Sequence, residues 1–126
     1  MTNPPRPEKR VAPRFQVHIK MRFRLVKSPA GESPEPSLHN GNNLISNLSR
    51  TGFFLATKNF IEIGSVLEVE FTPVDLTEVV LAYAEVVRAN YQNFPNQGRY
   101  EYGIQFKDMN PLSRDRLERF LAIFNV

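Results

Sequence analysis

Between Phe15 and Leu25 large apolar side chains occupy every second position: Phe15, Val17, Ile19, Met21, Phe23 and Leu25 alternate with Gln16, His18, Lys20, Arg22 and Arg24. Period 2 over this length predicts a half-buried β-strand, because a helix would scatter the same side chains around its axis. The alternation returns at Leu67, Val69 and Phe71, spaced by Glu68 and Glu70 and closed by Pro73. It returns again where Tyr100, Tyr102, Ile104 and Phe106 alternate with Glu101, Gly103, Gln105 and Lys107. Phe53 to Thr57 and the longer Val79 to Tyr91 also read as strands, Leu44 and Ile45 open a further apolar segment, and Gly64 marks a turn. Strands of this kind joined by turn-rich segments predict a mainly β fold, a six-stranded antiparallel β-barrel.

The period changes near the C-terminus. Asn110 can cap a helix with Pro111 at its first position, and Leu117, Phe120, Leu121 and Phe124 fall at i, i+3, i+4 and i+7. Arg114, Asp115, Glu118 and Arg119 take mostly the other side, so a helix over 111–124 is expected to pack on the barrel. Docking of the same stripe to a partner is the alternative.

Residues 1–9 hold three prolines and no large apolar residue after Met1, and are expected to form a flexible arm ahead of one domain over 10–126. The segment 28–43, SPAGESPEPSLHNGNN, is long for a hairpin and is expected to be a mobile polar loop. No internal repeat is present.

Composition narrows the function. A chain of 126 residues with 41% hydrophobic and 23% charged residues suits one globular domain, with no room for a separate catalytic one. With no cysteine, a disulfide framework, thiolate catalysis and Cys-based zinc sites are excluded. The two histidines, His18 and His39, form no metal-ligand spacing. The apolar run Val79 to Ala84 is far shorter than the roughly 20 residues a membrane span needs, and MTNPPRPEKR has no apolar signal core. A cytoplasmic protein without membrane insertion is expected.

The overall charge of +3 hides an asymmetry. Residues 1–27 carry eight basic residues against Glu8, a local +7, while the remaining 99 carry eight basic and 12 acidic, or −4. An N-terminal segment that meets phosphate fits this distribution better than a surface for polyanions generally. Within the strand, Lys20, Arg22 and Arg24 read as a solvated face.

Two constellations carry candidate chemistry. In KRVAPR, residues 9–14, Arg10 and Arg14 stand just before the first strand, and Pro13 prevents a helix from pairing them at i, i+4. The arginine fork matches a phosphate or the O6/N7 edge of guanine. In NLSRTG, residues 47–52, an amide and a hydroxyl could read the edge of a base, and Gly52 tolerates positive φ and close approach. The ordinary reading is a turn whose Asn47 and Ser49 serve their own backbone.

Together and in this order, the two resemble the PilZ domain family, whose pattern is RxxxR, often after another basic residue, followed by [D/N]xSxxG. Here these are Lys9, Arg10 and Arg14, then Asn47, Ser49 and Gly52. YGIQF, residues 102–106, and the terminal helix look like the family's closing strand and helix. The commonest form of the second motif has Asp at the position of Asn47.

The resemblance implies a ligand, cyclic di-GMP, with no other cofactor, no metal and no catalytic activity. Arg10 and Arg14 would be its clamps, Asn47 and Ser49 its base readers and Gly52 the close-approach residue, with Lys9 and Arg50 in support. Ligand binding would order the N-terminal arm and regulate a partner protein in motility, pili or surface behaviour, the chain being a monomer or weak homodimer. One alternative is a relative that serves as a protein-interaction module without nucleotide, as in type IV pilus assembly. The other is a small nucleic-acid-binding barrel with Lys20, Arg22 and Arg24 on phosphates, weakened because Phe15 and Phe23 lie on the opposite strand face.

Overall fold

The computed structural model describes residues 19–32, 35–39, 41–73, 78–91 and 100–123. Its elements are β1 (Ile19–Ser28), β2 (Gly31–Glu32), β3 (Leu44–Ser46), β4 (Gly52–Thr57), β5 (Val66–Phe71), β6 (Val80–Asn90), β7 (Tyr100–Asp108) and α1 (Pro111–Ala122). Strand order is β2-β1-β3-β4-β7-β6-β5, all pairs are antiparallel, and β1 also pairs with β5. That last pairing closes six strands into a barrel and leaves β2 as an added hairpin arm. The six-stranded barrel with a C-terminal helix is therefore the fold that the alternation predicts.

Each strand turns its apolar set inward. Ile19, Met21 and Phe23 of β1, Phe53 and Leu55 of β4, and Val69 and Phe71 of β5 meet Val86 of β6 and Tyr102 and Ile104 of β7 in one core. On the outside of the closing seam, Arg22 pairs with Glu70 and Arg24 with Glu68. Two arginines of the basic face of β1 are thus paired with carboxylates across the strands, contacts between residues more than forty positions apart.

In the segment 28–43 the described residues pair with β1. Gly31 and Glu32 fold back on Ser28 and Lys27, and His39 bridges Phe23 with hydrogen bonds in both directions. The anchor is Asn43, 2% exposed: its Nδ2 donates to the His39 carbonyl at 2.9 Å, and its Oδ1 accepts from Thr57 Oγ1 at 2.6 Å. A buried amide with satisfied partners fixes a polar segment as firmly as an apolar plug.

Asn110 caps α1 through its side-chain oxygen, which accepts from Ser113 N at 2.7 Å, and Pro111 follows as the first helical residue. Leu117, Phe120 and Leu121 are buried against the barrel, each contributing roughly 1.5–3 kcal/mol. Polar contacts fix the helix's place: Leu81 N donates to Ser113 Oγ at 3.0 Å and Arg116 NH1 to the Val79 carbonyl at 2.7 Å. The helical stripe is spent on the barrel.

Candidate functional site

The β3–β4 turn is built by the NLSRTG residues. Leu48 is driven into the core, fully buried, which forces the chain to reverse around it. Ser49 N donates to the Gly52 carbonyl at 2.9 Å, and the Ser49 hydroxyl accepts from Thr51 N at 3.2 Å and contacts Thr51 Oγ1 at 3.1 Å. With no exposed surface, Ser49 shapes the turn from within. Asn47 takes the left-handed region at φ 52°, which Asn tolerates better than other non-glycine residues. It is half-buried and stands at the end of β3, directly after Ser46.

Gly52 is needed for a different reason from the positive φ expected of it, since the positive-φ glycines among the described residues are Gly31 and Gly64. A Cβ at position 52 would lie 2.0 Å from the Ile104 carbonyl oxygen. Close approach does occur here, and its partner is the β7 backbone.

Two hydrogen bonds to its backbone carbonyls hold the turn onto the rest of the molecule. Phe106 N donates to the Thr51 carbonyl at 2.8 Å, and Arg114 NH1 of α1 donates to the Arg50 carbonyl at 3.0 Å. Arg50 itself is exposed. The motif therefore sits where β4, β7 and the helix converge.

Beside it runs a shallow outer face that the sequence reading missed. Ser46 pairs with Phe54, Phe54 with Gly103 and Gly103 with Arg88, a row crossing β3, β4, β7 and β6. The register of β6 against β7 shifts between Val86 and Arg88. This bulge leaves Val87 as an extra residue and turns Arg88 outward opposite Gly103. The Arg88 guanidinium lies 5.7 Å from the centre of the Phe54 ring. Phe54, Arg88 and Gly103 line two adjoining clefts of about 200 and 210 Å³, the second extending to Thr51 and Gln105. A cation over an aromatic ring, with a glycine leaving space in front, is a surface on which a flat base or a phosphate can rest.

Lys9, Arg10 and Arg14 lie outside the described residues. So does Phe124, expected on the helical stripe. Asn47, Ser49, Arg50 and Gly52 are brought together in one turn, with Ser49 and Gly52 facing the protein itself. Among the described residues no three His, Cys, Asp or Glu side chains group as for a metal ion, and no helix is long and apolar enough to cross a membrane.

The family model described as PilZ domain matches residues 8–122, which include both motifs. The chain belongs to the PilZ domain family. No curated protein matches this PilZ chain in sequence. Among solved structures, the Bacillus subtilis inhibitor of motility (MotI/DgrA) is similar at TM-score 0.67 and 14% identity, covering 97% of this chain and 56% of its own. The K. pneumonia MrkH–c-di-GMP complex is similar at TM-score 0.62 and 20% identity, covering 94% and 52%. The PilZ domain of YcgR from Escherichia coli, solved with c-di-GMP, is similar at TM-score 0.57 and 12% identity, covering 94% and 92%. The chain thus spans about half the length of the first two, and at these identities the likeness is one of fold.

Proposed function

We propose that this PilZ domain is a cyclic di-GMP-binding adaptor without catalytic activity, acting in the cytoplasm on a partner protein. The observation that carries the reading is that one family match spans both RxxxR and [N]xSxxG, with the second motif at the edge of an exterior cleft lined by Arg88 and Phe54. Two of the similar structures were solved with c-di-GMP.

Chain geometry supports a joint site. β1 pairs Ile19 with Ile45, two residues before Asn47, so the chain arrives at β1 from the Asn47 end of β3. Five Cα–Cα steps lead from Arg14 to Ile19, a reach of at most about 18 Å. Arg14 and Arg10 would grip phosphates and guanine edges, Lys9 and Arg50 would add charge, and Asn47 would read a base edge. Ser49 and Gly52 would act as positioning residues that hold Asn47 in place. Binding would order the arm over residues 1–9 and change the surface presented to the partner.

The buried Ser49 hydroxyl favours a second reading, a protein-interaction module that takes no nucleotide and keeps the motif for its turn. Isothermal titration with cyclic di-GMP beside GTP and single-stranded RNA separates the two. Micromolar or tighter binding of the cyclic dinucleotide alone, lost in an Arg10→Ala/Arg14→Ala variant, supports the adaptor. Absence of heat with all three overturns it in favour of the second reading.

A further inference from the structure

At the barrel end remote from α1, a cleft of about 210 Å³ opens between the β4–β5 loop and the 28–43 segment. The full length of β6 separates the two ends: Leu81 meets Ser113 of the helix, whereas Tyr91, just past the strand, stacks on Phe60. The cleft floor is apolar, with Phe23, Leu25, Ile61 and Leu67. Its polar groups are Glu35, His39, Asn59, Glu62 and two serines, and among the described residues no Lys or Arg lines it. Glu35 and His39 bond each other at 2.7 Å. Ser65 is 2% exposed and lines the cleft. At the mouth Phe60 is 62% exposed, stacked on Tyr91 at 5.0 Å, with Ile63 also exposed.

We propose that this cleft receives an arginine side chain from a basic, apolar segment of a partner protein. The charge is complementary, since the described lining residues include two carboxylates and no Lys or Arg. The apolar floor suits the aliphatic stem, and the guanidinium fork offers donors to the Glu62 carboxylate and to the Ser65 hydroxyl oxygen. The exposed face of Phe60 adds a cation–π surface at the mouth. A cleft of about 210 Å³ has room for one long side chain. Occupation here leaves the NLSRTG face open, so partner and nucleotide can be bound together.

The test is a ¹⁵N NMR titration of the full chain with an acetylated, amidated leucyl-arginyl-leucine peptide, beside its glutamine counterpart and free agmatine. Saturable shifts confined to the amides of Leu25, Ile61, Glu62 and Ser65, seen with the arginine peptide and tighter than with agmatine, support the site. Glu62→Gln, at an exposed position, is expected to weaken the peptide about fivefold, and Phe60→Ala to do the same, with the HSQC spectrum otherwise native. Absence of saturable shifts at millimolar peptide, equal shifts with the glutamine peptide, or agmatine binding as tightly as the peptide would overturn the proposal. Cyclic di-GMP is absent from all these samples, so the outcome is independent of the proposed nucleotide function.

Discussion

Arg88 of β6 and Gly103 of β7 are cross-strand partners, and a Cβ on residue 103 would stand 3.3 Å from both the Cβ and the Nε of Arg88. The missing side chain is what lets the guanidinium lie down toward Phe54. If this face receives a base or phosphate of the ligand, Arg88→Ala weakens cyclic di-GMP binding about tenfold in isothermal titration, with little change in thermal midpoint because the side chain is exposed. Gly103→Ala displaces the flexible guanidinium and costs binding about threefold.

Gly52→Ala is expected to act on the fold. A methyl group 2.0 Å from the Ile104 carbonyl forces β4 and β7 apart, and overpacking of this kind costs about 3 kcal/mol. Thermal unfolding should shift down by roughly 10 °C. A variant that unfolds at the wild-type temperature would show that the strands accommodate the group.

Alkaline stability is tied to Tyr102. Its hydroxyl is buried and bonded to Ile61 N at 2.8 Å and the Asn59 carbonyl at 3.1 Å, and burial pushes its pKa from 10 up to about 12. The folded state therefore holds this proton more tightly than the unfolded chain. The contribution is fully present below pH 10 and is lost as pH rises from 10 through 12. Chemical denaturation measured at pH 8, 10 and 11.5 should fall over that window, and Tyr102→Phe, less stable at pH 8, should show a smaller fall.

The seam between β1 and β5 is expected to owe little to its ion pairs. Arg22 remains 46% exposed, where such pairs contribute at most about 1 kcal/mol. A double-mutant cycle with Arg22→Ala and Glu70→Ala should return a coupling below that figure. In contrast, Val69→Ala, which empties a fully buried position of the same strand, should cost about 2 kcal/mol or more.

Much of the architecture was legible from Ile19, Met21 and Phe23, from Leu67, Val69 and Phe71, and from the Asn110–Pro111 start of the helix, because strand pleat and helix capping are local rules. The burial of Asn43 was not legible in the polar composition of 28–43, because its partners Met21, His39 and Thr57 come from separate parts of the chain. Arg88 escaped notice because the bulge after Val86 reverses the face that simple alternation assigns.

By itself the sequence determined which residues alternate, where the helix starts, and that two short motifs of one family stand in order. Only the tertiary structure decided that Lys20, Arg22 and Arg24 belong to a strand closed against β5, that Ser49 turns inward, and that Gly52 is held by the Ile104 backbone. The physical reason is the same in each case. Alternation is set by neighbouring residues, whereas register, closure and close approach are set by strands that meet only when the barrel packs.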